Sequence, residues 1–360
     1  MSANAIFDGP LDPLGFVTAE LTRRGALLER DNDRALALLP GEVARSFALP
    51  ETVRIATEPV DDIIGCGLGS PLLDQLIGDM RTELPVASIT WNAEPPRAAH
   101  GERFGARMVV RNGVADVLGV AHASATYLAG IFAWTAEADD RYQGLTLTVA
   151  HTATESEPDP DSIAGMASLL ATDEITANGG DAQGAICGGP AIAKRAALAI
   201  GSQLDEIGVA VARRRDRERA RIDDYFTSLV AETQRPRRNV AKAAIEARIA
   251  ALRAEHTAKL RDATARYILR VRIEPVALVA IGMRVLEIRL RLRRRKGERE
   301  LALHVPPGAR APDALACISC PSTTRAALLC DDALHVLCEA CAPEVGGRPR
   351  CPACAKRRPG

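Results

Sequence analysis

Hydrophobic and polar positions change their period several times along the chain, and each change marks an expected element. Residues 18–46 place Leu21, Leu27, Leu28, Ala35, Leu36, Leu38 and Leu39 ahead of Pro40-Gly41, which predicts one helix ended by its breaker. A second helix is predicted after the Gly65–Ser70 loop, with Pro71 in its first turn and Leu72, Leu73, Leu76 and Ile77 on one face. Residues 84–150 read as β-rich. Met108–Val110 and Val114–Val120 flank Arg111-Asn112-Gly113, a hairpin-type turn signal. Thr126–Thr135 and Leu145–Ala150 continue as strands around a polar turn at Glu137–Gln143. Together these predict an α+β domain over 1–155.

Residues 156–190 predict a linker with a short helix near Ile163–Leu170, because Gly179-Gly180 and Gly188-Gly189-Pro190 interrupt any regular element. The helical period returns at Ala191. Ile200, Leu204, Ile207, Val211, Ile222, Phe226 and Leu229 form one stripe, and Ile245, Ile249, Leu252, Leu260, Ala263 and Tyr267 a second. Joined at Pro236, they predict a long, coiled-coil-like antiparallel helical hairpin over 191–267. Its stretch Arg213–Arg221 has no apolar residue but Ala220, so it reads as a solvated arm or an anion-facing surface. Residues 268–308 predict a basic strand pair. Leu286, Ile288, Leu290 and Leu292 alternate strictly with Glu287, Arg289, Arg291 and Arg293, then Arg294–Gly297 turns the chain and Leu301, Leu303 and Val305 return. The predicted class is α+β: a mixed N-terminal domain, the helical hairpin, a β-hairpin and a C-terminal module.

Composition adds two points. Net charge is zero, but residues 1–160 carry 12 Lys/Arg against 23 Asp/Glu while residues 211–300 carry 25 against 12. That asymmetry predicts mutual docking or an anionic partner for the basic half. No stretch approaches the ~18–20 apolar residues of a membrane span, so no membrane partner is expected.

Cysteine spacing then dictates chemistry at the end of the chain. Seven of nine cysteines lie in residues 317–354: Cys317/Cys320, Cys330, Cys338/Cys341 and Cys351/Cys354, with His335 beside Cys330. These are eight soft ligands in four pairs over 315–356, enough for two tetrahedral zinc sites. A disulfide framework would leave a thiol over, and residues 1–20 lack both Lys/Arg and an apolar leader run, so a reducing, cytoplasmic setting is expected. An iron–sulfur cluster is the lesser alternative: it usually uses four cysteines with no partner histidine, and eight ligands in pairs suit two zincs better. The segment is too short for its own apolar core, so metal would supply most of its folding free energy, leaving 1–305 folded without it.

The ligand order C-C-C-H-C-C-C-C and the ending Cys351-Pro352-Ala353-Cys354 resemble the RING finger family. That resemblance implies cross-bracing: Cys317, Cys320, Cys338 and Cys341 on one zinc, and Cys330, His335, Cys351 and Cys354 on the other. The four-residue gap from Cys330 to His335 is longer than is usual there, so two consecutive zinc knuckles remain the alternative. Farther upstream, Leu21–Leu39, Leu68–Asp74, Asp223–Phe226 and the basic strand pair resemble the post-motor accessory region of RapA/HepA-type bacterial nucleic-acid translocases, over about 15–305. This implies an α+β spacer with an inserted helical arm. No phosphate-cradling G-x-x-x-x-G-K-[ST] loop is present, so the motor itself would be a separate chain.

The remaining candidates are surface charges. Arg289, Arg291, Arg293, Arg294, Arg295 and Lys296, and Arg213, Arg214 and Arg215 on the arm, are candidate nucleic-acid contacts, or simply solvated faces. Cys66 and Cys187 read as small buried residues. His100, His122, His151, His256 and His304 show no ligand spacing, and the glycines at Gly65–Gly69 read as a turn rather than a dinucleotide loop. No catalytic constellation appears. The expected function is a non-catalytic zinc-binding adaptor that works with nucleic acid or a separately encoded helicase. The alternatives are a RING-type recruiter of a ubiquitin-conjugating enzyme, with Ile318, Leu337 and Pro352 as its docking groove, and a purely structural interaction module.

Overall fold

A computed structural model describes residues 12–60, 62–80, 84–170, 182–235, 241–295, 297–342, 344–345 and 348–356, with side chains omitted at 182–190, 344–345 and 348. Pro236 and Lys296 lie outside the described residues, and Cys187 outside the described side chains. The chain is mixed α/β with several sheets.

The stretch expected as a single helix over 18–46 is not one. It divides into α1 (Pro13–Arg23), a hairpin of β1 (Leu27–Asp31) and β2 (Arg34–Leu38), and α2 (Gly41–Ser46). Gly25 at φ 90° and Asn32 at φ 47° both adopt left-handed backbone, which a right-handed helix cannot continue through. With β3 (Thr52–Ala56) and β4 (Ile63–Gly65) the hairpin forms a four-stranded sheet. Against it pack α1 and the expected helix at Pro71, α3 (Pro71–Met80), around Val17, Leu21, Ile55, Cys66 and Leu76. Cys66 is fully buried there. The next strand, β5 (Val86–Trp91), pairs in another sheet, so the Gly65–Gly69 run belongs to no βαβ unit.

That second sheet positions the C-terminal module. Its core is β7 (Val114–Glu137) against β9 (Arg270–Arg294), antiparallel along nearly their whole length. β8 (Arg141–His151) borders β7, while β5 and β10 (Gly297–Val305) share the other edge of β9. The strands expected as a basic pair over 268–308 therefore belong to the same sheet as β7 and β8. Their inward set is as the alternation requires: Leu286, Ile288, Leu290 and Leu292 are all at most 1% exposed.

Alternate residues of a strand face opposite sides, and both sides are covered. Tyr127, Ala129, Ile281 and Val285 face α5 (Pro160–Leu170), through Met166 and Ala167. Leu128, Phe132, Leu278 and Ala280 face α6 (Ala182–Ala199), through Ile192 and Ala196. The Gly188-Gly189-Pro190 sequence does not break the helix, since α6 runs through it. Packing of Ile192 and Ala196 fixes the half after Pro190 against the sheet. The fit is close at Gly130, where a Cβ would meet Ile192 at 2.6 Å.

Two further helices, α7 (Gly201–Gln234) and α8 (Lys242–Arg266), pack on one another. Their root is held by Ile200 and Leu204 against Trp134 and Tyr142. Beyond the root few side chains are buried. Phe226 stacks on His256, whose Nε2 lies 2.6 Å from Asp223.

A 3₁₀ turn at 98–100 and α4 (Gly101–Gly105) lead to β6 (Val109–Val110). The hairpin expected at Asn112-Gly113 does not form. β6 pairs with no part of β7 but runs parallel to β13 (Ala326–Leu329), in the C-terminal module.

Candidate metal centre

The module is built from short pieces: β11 (Leu315–Ala316), β12 (Thr323–Thr324), β13, β14 (Val336–Leu337), a 3₁₀ turn at 339–341, β15 (Glu344–Val345), β16 (Arg348–Pro349) and α9 (Pro352–Ala355). None could hold its shape alone. Two side-chain clusters organise them. Cys317, Cys320, Cys338 and Cys341 bring their sulfurs within 4.8 Å of one another, and so do the ligand atoms of Cys330, His335, Cys351 and Cys354. No disulfide forms among the described cysteines. The pairing is first with third and second with fourth, so the two clusters interlock along the chain rather than follow one another.

The distances suit a zinc ion. Bonds of about 2.3 Å to sulfur and 2.0–2.1 Å to nitrogen put the edges of a tetrahedron near ~3.8 Å (S–S) and ~3.6 Å (S–N). Cys320 Sγ and Cys338 Sγ are 3.6 Å apart. His335 Nδ1 stands 3.4 Å from Cys351 Sγ and 3.5 Å from Cys354 Sγ, so it would bind through Nδ1. Backbone amides support the sulfurs. Ser319 N and Cys338 N donate to Cys317 Sγ, Cys351 N to Cys330 Sγ and Cys354 N to Cys351 Sγ. Donors aimed at sulfur favour thiolate, the form that ligates. Within the first cluster one thiolate comes at its neighbour's expense: Cys320, then burial and Cys338, push Cys341 up to about 12. A divalent cation reverses that penalty. Each cluster can thus hold one zinc, and four protein donors would leave no open coordination position.

The module is fastened to the long sheet. Val109 N donates to Arg325 O and Arg111 N to Ala327 O. Asn112 clamps Leu329 twice, its Nδ2 donating to the carbonyl at 3.1 Å and its Oδ1 accepting from the amide at 2.8 Å. The turn signal at Asn112 was real, but its amide is used across the module boundary. Leu292, Leu329 and Leu334 form a shared apolar contact, as do Ile288, Leu290, Leu315 and Ala327. Arg294, 9% exposed, pairs with Asp331, 7% exposed, and also donates to Asn112 O. The stretch from Leu315 to Leu334 is therefore packed against β9.

A strap over 306–314 adds a buried polar group that spacing could not reveal. Asp313 Oδ2 accepts from Tyr127 Oη at 2.8 Å and Ser156 Oγ at 3.1 Å. Burial pushes its carboxyl up to about 7. Beside it His151 stacks on His304 with ring centroids 4.3 Å apart. Burial, then the neighbouring His304, lower His151 to about 4, and its Nδ1 accepts from the amides of Ala153 and Thr154. These histidines come from sequence-distant strands, β8 and β10.

The basic candidates are mostly engaged. Arg291 pairs with Glu298, Arg293 with Asp116, Arg294 and Arg295 with Asp331. On the arm, Arg214 holds Asp139 at 2.6 Å and Tyr142 at 3.0 Å, and Arg215 pairs with Asp216. Arg213 and Arg289 are exposed and, among the described residues, have no carboxylate partner. Of the expected docking groove, Ile318 is 56% exposed and Pro352 is exposed, but Leu337 is fully buried between the zinc clusters and cannot serve it. Among the described residues no helix is long and apolar enough to cross a membrane.

Comparison with known protein families, curated proteins and solved structures finds no match. The RING and RapA/HepA resemblances gain nothing from it. The class defined by residues and geometry alone is a mixed α/β protein with a zinc-finger-like C-terminal module.

Proposed function

We propose that the chain is a non-catalytic adaptor whose C-terminal module binds two zinc ions as structural cross-links. The single observation behind this is the pair of interlocked four-donor clusters. Catalytic zinc keeps a position for water or substrate, whereas structural zinc is closed by protein ligands. The partner is a separately encoded protein, for which a helicase-type machine is the proposed class, and the exposed helical pair α7–α8 is the proposed contact. Elemental analysis should find about two zincs per chain, and fewer than one would overturn the reading.

Nucleic acid is the weaker proposed partner, because most of the candidate arginines already face carboxylates. Duplex DNA or RNA binding that falls steeply with added salt would restore it, and absence of binding at low salt would remove it. Exposure of Ile318 beside the first cluster favours a second reading, recruitment of a conjugating enzyme. Discharge of a thioester-charged conjugating enzyme, lost on Ile318→Ala, would support that reading.

A further inference from the structure

Asn112 and Gly113 sit between β6 and β7, and the C-terminal module holds both the side chain and the backbone of Asn112. Its Nδ2 donates to Leu329 O at 3.1 Å, and its Oδ1 accepts from Leu329 N at 2.8 Å. Its carbonyl accepts from Arg294 Nη1 at 2.6 Å, and Arg294 is itself paired with Asp331. Leu329 and Asp331 flank Cys330, a donor of the second cluster. One ligand therefore stands between the two residues that immobilise this turn.

The packing requires this particular pair of residues. Aspartate at position 112 would lack the donor to Leu329 O. At position 113 a Cβ would meet Arg293 O at 2.8 Å and Leu329 Cδ1 at 3.1 Å, so the chain passes there only without a side chain. Asparagine is thermolabile, and most so before glycine, whose nitrogen no side chain shields. In a free chain the Gly113 nitrogen, deprotonated by hydroxide, attacks Asn112 Cγ. A new C–N bond closes a cyclic imide, the bond to Nδ2 breaks, and that nitrogen leaves as ammonia with a proton from water. A water molecule then adds to either imide carbonyl, giving aspartate or isoaspartate. The attack requires Cγ to swing over the Gly113 nitrogen, by rotation about χ1 and ψ of Asn112. Leu329 restrains the first rotation and Arg294 the second.

We propose that Asn112 is a deamidation site guarded by the metal. With the module docked, the amide is locked and persists; when the metal leaves, the turn is released and the amide hydrolyses. The product does not restore the dock. A carboxylate oxygen would face Leu329 O where Nδ2 had donated, and two acceptors repel at that range. Isoaspartate would in addition lengthen the backbone of the turn. Reversible loss of metal thereby becomes a permanent mark on the chain. The proposal rests on the two-metal reading above.

The test uses the full-length protein, either zinc-loaded or stripped with a chelator, incubated in heavy-oxygen water at neutral pH. Zinc content and heavy oxygen at residue 112, read by peptide mass spectrometry, are measured on the same samples. Label should accumulate at least about tenfold faster in the stripped chain, because a locked amide reacts only during local opening. Equal rates, with zinc present in one sample and absent from the other, would overturn the inference and leave the two-metal reading standing. Failure of the chain to take up zinc would overturn that reading and the guard with it. A second arm needs no chelator. In zinc-loaded Asn112→Asp the amide hydrogens of Val109 and Arg111, which donate to Arg325 and Ala327, should exchange about tenfold faster than in wild type. Exchange there as slow as in wild type would show that the product redocks and would overturn the inference. Should Asn112→Asp fail to fold, the labelling comparison on the natural chain decides alone.

Discussion

At the scale of single residues, the contacts of greatest consequence are those holding the ligand turns. Arg294 and Asp331 are buried together, and Arg294 also donates to the Asn112 carbonyl. Arg294→Ala leaves Asp331 buried without its main partner and should destabilise the fold by about 3–5 kcal/mol in urea titration, while Arg294→Met with Asp331→Leu should recover much of that. Removal of one ligand, as in Cys351→Ala, should lower zinc from about two to about one per chain, read by elemental analysis. The buried titrating groups give a pH signature. His151 falls from an ordinary 6.5 to about 4, so below pH 6.5 the unfolded chain takes up a proton that the folded one refuses, and stability drops with acid. His304, also lowered by burial, acts with the same sign. Asp313 acts oppositely: raised from 3.8 to about 7, it holds a proton in the folded state that the unfolded chain has lost, and that contribution fades as pH rises toward 7. Asp313→Asn should therefore steepen the loss of stability between pH 6.5 and 4, and a melting series that stays parallel to wild type would contradict the assignment. None of these groups could be picked out from spacing, because each becomes special only through burial against a distant strand.

At the scale of elements, legibility in the sequence follows how far side-chain polarity predicts direction. β9 was readable because Leu and Arg alternate and the leucines do face inward. β1 and β2 were not, because there the rule inverts: Ala35 and Ala37 are buried while Leu36 and Leu38 are exposed, and the same residues fit a helical stripe equally well. The two Cys/His clusters were readable residue by residue, since a tetrahedral ion would impose that spacing on the chain. What spacing omits is where the module docks. β6 and β13 lie more than two hundred positions apart and pair through backbone groups that have no residue signature. Their pairing alters the expected effect of metal removal. A free tail would melt alone. Here chelation should also expose the amides of Val109 and Arg111, which donate to Arg325 and Ala327, and hydrogen exchange there should accelerate together with that of β13. Elsewhere, Gly130→Val should lift α6 from the sheet, because a Cβ added there would stand only 2.6 Å from Ile192, and the melting temperature should fall.

At the scale of the whole molecule, acidic and basic halves were expected to find either each other or an anion. Part of the answer is each other: Asp116 meets Arg293 and Asp139 meets Arg214. Exposed pairs of this kind add little stability singly. The helical arm is the opposite case, a long paired element with a short apolar root. The order of the strands also governs how the molecule is born. During synthesis β7 emerges with one edge matched by β8, and its other edge waits for β9 until everything between Glu137 and Arg270, the arm included, has been translated. A nascent chain therefore carries a long, sticky, half-finished sheet for much of its time on the ribosome. Chains ending before Arg270 should collect in inclusion bodies, while those ending after Val305 should remain dispersed but bind no metal, so a premature stop codon at either place would leave a different mark on the cell.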